Sequence, residues 1–164
     1  MDSKLQVEYR KPNSQDIKGI AFLHYTIINS SLVKHAPSIC KFSDLTLSID
    51  DVEKNIEDMV KDQNRDIIVA SLEDKIVGFL SLWTESYSDD LIAAPFTTIE
   101  YIEVHPDYRS LGIGQSFMQE AERIARLKNH QYLELLVWET NKNAIKLYER
   151  NNFTPIVIRM IKKL

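Results

Sequence analysis

A mixed α/β fold, one sheet flanked by helices, is predicted by three features of this 164-residue sequence. Two short apolar runs rich in β-branched residues, Ile67 to Leu72 and Ile76 to Trp83, are separated only by the polar turn Glu73-Asp74-Lys75, which reads as a hairpin. Farther along, strand-like runs alternate with segments of helical period. Hairpins and helical crossovers in one chain make the sheet mixed rather than all parallel.

The elements follow in order. Leu5 to Tyr9 alternates apolar and polar residues and reads as a first strand. After the polar break at Pro12, Asp16 is placed to cap a helix carrying Ile17, Ile20, Ala21 and His24 three and four residues apart. Residues 29–50, with Pro37 and several serines, read as a loop with short helical pieces. Asp50 or Asp51 then starts a helix through Val52, Ile56, Met59 and Val60. The hairpin follows, and then a polar, acidic loop over residues 84–95. Phe96 to Val104 is a strand, which Pro106 ends because proline cannot donate to a ladder. Ile113 to Lys128 is a helix with an apolar stripe of Phe117, Ala121, Ile124 and Ala125. Tyr132 to Val137 reads as a strand, Asn141 to Arg150 as a helix, and Phe153 to Ile161 as final strand material. No repeat or linker divides residues 1–164, so one domain is expected.

Composition excludes several classes. Apolar residues make up 44% and charged residues 27%, the balance of a globular domain rather than a disordered chain. No apolar run has the length of a membrane span and the N-terminus lacks a secretory pattern, so no membrane partner is expected. One cysteine, Cys40, forms no internal disulfide and points to the cytoplasm. The net charge of −4 divides into −8 over residues 1–104 and +4 over residues 105–164. A solvated surface or a pair of oppositely charged partners would produce that division. No basic face with interleaved aromatics suggests nucleic acid. The four histidines have no metal spacing, so no metal is expected.

The sharpest local signal is Arg109-Ser110-Leu111-Gly112-Ile113-Gly114, between a strand and an amphipathic helix. Free N–H groups at a helix N-terminus attract anions, and glycines let a phosphate approach the backbone. Arg109 adds a charged donor. A plain turn would also account for so short a pattern. It is neither a Rossmann fingerprint nor a Walker loop, since a third glycine and a Gly-Lys-Ser/Thr are both missing.

In this block, residues 99–125, the sequence resembles the GNAT superfamily of acetyl-CoA-dependent N-acetyltransferases. It is similar to that family's fourth strand, pyrophosphate loop and following helix. A second block, residues 132–153, resembles the fifth strand and the helix that carries the family's tyrosine. Asn152 stands where the family very often has glycine, and asparagine tolerates the left-handed conformation that ends a helix.

The resemblance implies a mostly antiparallel central sheet in which the fourth and fifth strands splay apart. It implies acetyl-CoA as co-substrate: main-chain groups of Ile102, Glu103 and Val104 on the pantetheine, Arg109, Ser110, Leu111, Gly112, Ile113 and Gly114 on the pyrophosphate, Gln115 and Ser116 nearby. Asn141 matches a coenzyme-contacting position, and its side chain would equally serve as a helix N-cap. The implied reaction is direct acetyl transfer to an amine. Tyr148 sits where the family places the acid that protonates the departing thiolate. Its share in a helical face with Ala144 and Leu147 also fits a core aromatic. Glu100 matches a glutamate near the substrate and is the favoured base. Period-2 alternation puts Glu100 with Ile102 and Val104, and Glu103 on the opposite face, unless a bulge resets the parity.

Seven acids in residues 44–62, with Glu85, Asp89 and Asp90, suit a cationic small molecule or a peptide amine, though a solvated helix face would carry the same residues. A homodimer is compatible with all of this. The competing reading is a GNAT-like module that binds acyl-CoA without turnover. A generic nucleotide-binding domain leaves Tyr148 and the element order unexplained.

Overall fold

The hairpin at the centre of the sequence becomes the centre of the sheet. A computed structural model describes residues 6–35, 48–85 and 94–160, with backbone alone for 31–35. Its elements in chain order are β1 (Glu8–Arg10), α1 (Ile17–His35), α2 (Ile49–Lys61), β2 (Arg65–Leu72), β3 (Lys75–Trp83), β4 (Phe96–Val104), a 3-10 turn (Pro106–Tyr108), α3 (Ile113–Leu127), β5 (Tyr132–Leu135) and α4 (Lys142–Arg150). The strands lie in the order β1-β2-β3-β4-β5. The first three pairings are antiparallel and β4–β5 is parallel, reached by the α3 crossover. The mixed, mostly antiparallel sheet expected from the sequence is thus observed.

Both faces of the sheet are covered, which is why the central strands read as continuous apolar runs. On one face, Ile20, Leu23 and Ile27 of α1 and Val52 and Ile56 of α2 pack on Ile67, Val69 and Phe79. On the other, Ile113, Phe117, Met118 and Ala121 of α3, joined by Tyr148 of α4, pack on Ile68, Ala70, Leu80, Leu82 and Ile99. Glu73 and Asp74 both take positive φ, the conformation a two-residue hairpin turn requires.

Several expectations are corrected. The first strand is Glu8–Arg10, and Leu5 lies outside the described residues. The Asp16 carboxylate accepts from the Asn13 N–H at 2.7 Å and from Arg10 at 2.6 and 3.0 Å, so it ties the helix entry to β1. Helix α1 continues to His35 through the stretch read as a loop, and residues 36–47 lie outside the described set. The cap of α2 is Ser48, which forms a capping box with Asp51, rather than Asp50 or Asp51. Helix α3 ends at Leu127, with Lys128 as its cap. Strand β5 stops at Leu135, two residues short of Val137. Residues 153–160, read as final strand material, form no strand. Among the described residues no helix is long and apolar enough to cross a membrane.

One irregularity positions everything that follows. In the β3–β4 ladder Ser81 faces Tyr101 but Leu82 faces Ile99, so Glu100 is an extra residue, a β-bulge. The β4–β5 ladder runs from Phe96↔Tyr132 to Ile99↔Leu135 and ends there. Strand β4 continues to Val104 with only its β3 edge paired among the described residues.

The Arg10–Asp16 pair is testable. The Arg10 guanidinium holds the Asp16 carboxyl below its ordinary range, against the opposing effect of burial. A depressed folded-state pKa contributes stability above the unfolded value, near 4, that is lost as pH falls through the folded value. Asp16→Asn should cost about 1–3 kcal/mol at pH 7, and the difference from the parent should shrink below about pH 4. Urea unfolding at pH 7 and pH 3 measures both.

Candidate active site

The motif block closes the end of the gap that β4 and β5 leave open. After Val104 the chain turns at His105, whose Nδ1 accepts the Asp107 N–H at 3.3 Å, a local capping role. Ser110 and Gly112 both adopt left-handed backbone, φ +63° and +84°. Gly112 is the N-cap of α3, and no side chain caps that helix. Its first N–H groups therefore face outward without an intrahelical partner. A Cβ on Gly112 would meet nothing within 4 Å, so the space over the loop is open. Arg109 donates its Nε to the Val104 carbonyl at 3.1 Å, which anchors the guanidinium beside this N-terminus. The donor set, the uncapped dipole and the open cradle fit a phosphate or pyrophosphate.

The other residues of the block divide by role. Leu111 is exposed, while the side chain of Ile113 is buried in the core and leaves only its N–H to the site. Gly114 serves packing: a Cβ there would stand 3.2 Å from Leu147 of α4. Gln115 exchanges two hydrogen bonds with Asn151, at 2.8 and 3.0 Å, and so ties α3 to α4. The Ser116 N–H bonds to the Gly112 carbonyl within the helix, leaving its hydroxyl. Asn141 is the N-cap of α4, its Oδ1 accepting from the Ala144 N–H at 3.3 Å. Asn152 takes φ +64°, as its place after the helix requires.

The bulge changes the reading of the glutamates. Ile102 and Val104 pack on the α3 side. Glu100 instead accepts from Ser81 Oγ at 3.0 Å and from Arg65 Nε and Nη2 at 2.9 and 3.2 Å. Ser81 alternates with Phe79, so this is the face covered by α1 and α2. Glu103 lies on the same face, its Oε1 2.9 Å from Nδ1 of His24 in α1. The expectation that Glu100 shares a face with Ile102 and Val104, opposite Glu103, is thereby overturned; the extra residue resets the alternation.

The two carboxylates have different surroundings. Glu100 keeps 21% of its side chain exposed. Its partner Arg65 also binds Asp62 and lies 4.5 Å over the Trp83 ring. Glu103 is buried, and among the described residues its Oε2 has no hydrogen-bond partner. Burial pushes its carboxyl up, and the bond from His24 offsets that only in part. Tyr101, stacked edge-on to His24 at 4.6 Å, is raised by burial and by both carboxylates.

Tyr148 occupies the core position that its helical face with Ala144 and Leu147 allowed. Its ring is packed in the α3-side core, 5.9 Å from Phe153, and burial pushes its hydroxyl up to about 12. It is therefore protonated throughout the physiological range.

His24, Arg65, Ser81 and Trp83 were not legible as site residues. Each reaches β4 from another element, with 79 residues separating His24 from Glu103 and 35 separating Arg65 from Glu100. No local motif marks such pairs. The acids of α2 sit farther out: Asp50, Glu53 and Glu57 line a shallow depression with Lys18 and Lys54. Asp44, Asp89, Asp90 and Cys40 lie outside the described residues. Among the described residues no cluster of three His, Cys, Asp or Glu side chains could hold a metal ion.

The β4–β5 ladder ends before an uncapped glycine loop, an arrangement that suits a strand-like arm ending in a phosphate. Residues 32–153 match the acetyltransferase (GNAT) family, and the chain belongs to that family. The uncharacterized N-acetyltransferase MJ1207 of Methanocaldococcus jannaschii is 28% identical over 114 residues, 65% of this chain and 49% of that protein. The chain thus spans about half the length of that curated relative. The fold is shared with a tetramutant of the BH1408 protein from Bacillus halodurans, at TM-score 0.80 and 17% identity over 96% of this chain and 99% of that one. It is shared also with the aminoglycoside N-acetyltransferase AAC(6')-Iy in complex with CoA, at TM-score 0.77 and 13% identity over 100% and 98%.

Two outcomes follow. Gly112→Val should weaken coenzyme A binding by about tenfold or more, because a β-branched residue is strained at φ +84° and fills the open cradle. Calorimetric titration of the folded variant measures it, and an unchanged affinity would remove this loop from the coenzyme site. Glu103→Gln addresses the buried carboxylate. A raised folded-state pKa contributes stability below the unfolded value, near 4.3, that is lost as pH rises through the folded value. The neutral amide lacks that loss, so the variant should gain on the parent between pH 4 and pH 8 in denaturant titrations.

Proposed function

We propose that the chain transfers an acetyl group from acetyl-CoA to a primary amine by direct attack on the thioester. The observation that carries this reading is the unpaired β4 edge from Glu100 to Val104, which runs into the uncapped N-terminus of α3. The main-chain groups of Ile102 and the Val104 N–H suit an amide-containing arm as a strand would, while Glu103 faces Phe79 in the β3 ladder and the Val104 carbonyl already accepts from Arg109. Arg109 and the N–H groups of residues 110–115 suit the pyrophosphate.

The acceptor must lose a proton, because an ammonium has no lone pair to attack with. In this reading Glu100 takes that proton through water. It is the more exposed of the two β4 glutamates, and Arg65 and Ser81 fix its orientation. A β4 N–H beside the bulge stabilises the charge that develops on the carbonyl oxygen. Tyr148 then protonates the leaving thiolate, and its high pKa keeps the proton available until that moment. Amine acceptors are supported by the likeness to AAC(6')-Iy, whose structure with the bisubstrate analog CoA-S-monomethyl-acetylneamine aligns at TM-score 0.71 and 15% identity. The acids of α2 favour a cationic acceptor, either a small polyamine-like molecule or a peptide amine.

A panel of amines with acetyl-CoA, scored by free thiol release, tests the reaction; no thiol release on any amine, with coenzyme A still bound, would leave a binding module. Tyr148→Phe tests the acid. Turnover should fall by roughly 10²–10⁴ with little change in coenzyme affinity. Because the hydroxyl titrates only near 12, parent turnover should show no basic decline from Tyr148 up to about pH 10. A folded Phe variant with full turnover would remove Tyr148 from the chemistry.

A further inference from the structure

The side chain of Glu103 has no part in the proposed chemistry, yet it sits on the strand that leads into the coenzyme loop. Only 8% of the residue is exposed. Proteins rarely bury a carboxylate without pairing it fully. Here Oε1 meets His24 Nδ1 at 2.9 Å, and among the described residues Oε2 has no partner. His24 is itself buried, its ring edge-on to Phe79 at 5.7 Å and to Tyr101 at 4.6 Å.

Each group that faces this carboxylate comes from a different direction. Helix α1 brings His24, β4 itself brings Tyr101, and β3 sets the apolar ring of Phe79 opposite Glu103. The loop brings Arg109, whose Nε donates to the carbonyl of Val104, the next residue along, at 3.1 Å. Burial pushes the Glu103 carboxyl up, and His24 and then Arg109 pull it back. The same guanidinium that flanks the N-terminus of α3 therefore acts also on a buried acid behind it.

The pair has room for one more proton. With Nδ1–H donating to Oε1, a neutral imidazole and a carboxylate together carry one negative charge. A further proton, on Oε2 or on His24 Nε2, makes the pair neutral overall, and that proton belongs to the pair rather than to either residue. A diphosphate seated at the loop sets negative charge against Arg109 and cancels what that cation does for Glu103.

We propose that binding of the coenzyme at the loop is coupled to uptake of a proton by the buried His24–Glu103 pair. The proposal rests on the coenzyme reading of residues 109–114. The pair then acts as a counterweight, taking in positive charge as the polyanion loads. Reciprocity sets the sign: if bound coenzyme strengthens the hold on the proton, the proton strengthens coenzyme binding by the same factor. Affinity therefore falls as pH rises through the titration of the pair.

The probe is 3′-dephospho-acetyl-CoA, which has neither a phosphate monoester nor a free thiol to titrate. Calorimetry in buffers of different ionisation enthalpy counts the protons taken up. The parent should take up a measurable fraction of a proton, and its affinity should weaken by about fivefold or more from pH 5 to pH 9. Glu103→Gln keeps the shape and removes the acid, so both the uptake and the pH dependence should disappear. Infrared difference spectra of the parent chain read the same event without a substitution: adding the probe should produce a protonated-carboxyl band or an imidazolium signature. Binding without proton uptake and without either spectral change overturns the proposal and leaves the coenzyme reading standing. Uptake that persists undiminished in a folded Glu103→Gln chain overturns it too, by placing the proton elsewhere. A chain that binds neither this probe nor acetyl-CoA overturns the coenzyme reading and the coupling with it.

Discussion

One extra residue in β4 sets the geometry on which the site depends. Two strands paired over their whole length would satisfy each other's backbone groups and leave nothing for a ligand. The bulge at Glu100 follows directly on Ile99, where the parallel ladder stops opposite Leu135, the last residue of β5. From there to Val104 one side of β4 is held by β3, and among the described residues the other has no strand partner. The central hairpin makes this tolerable: β3 is anchored on both faces, by Phe79 under α1 and by Leu80 and Leu82 under α3. A strand with one firm neighbour can leave its other edge open at modest cost in stability.

The same bulge gathers charge. Strict alternation would place Glu100 and Glu103 on opposite faces of the sheet. The inserted residue brings both to the face under α1 and α2, where each meets a cation-forming side chain, Arg65 or His24. The two pairs are not equivalent. Arg65 is held by Asp62, Glu100 and the Trp83 ring, so the first pair is a partly solvated network. The second is buried, and its Oε2 is a desolvated acceptor without a partner among the described residues. Desolvation raises a carboxyl and a cation lowers it, so burial makes Glu103 the costlier of the two glutamates to hold ionised.

Much of this was legible in the sequence because it is local. Phe96 to Val104 was bounded correctly by a β-rich run and Pro106, and the start of α3 by Gly112 and the stripe from Phe117. The function of Asn152 as a left-handed stop follows from its chemistry alone. Long-range effects were not legible. The bulge depends on the register against β3, which no single strand encodes. Arg65 reads as a surface charge at a strand start until β3 and β4 bring Glu100 to it. Helix α1 overran the reading at its C-terminal end because serines weaken a helix without ending one. Gly114 was read as a phosphate contact, and the packing of α4 adds that a Cβ there would crowd Leu147 at 3.2 Å.

The misread C-terminal run carries a further lesson about what a strand pattern means. Residues 156–158 have the β-branched composition of a strand, and composition is a statement about suitability for a pleated, half-buried surface. It does not supply the neighbour. Among the described residues Ile156 to Met160 finds no strand neighbour, and its large apolar side chains stay exposed. Local propensity and observed conformation conflict here and agree almost everywhere else along the chain. Consistency between the levels is what makes a native state unique, so a segment where they part is one whose conformation the rest of the fold does not dictate.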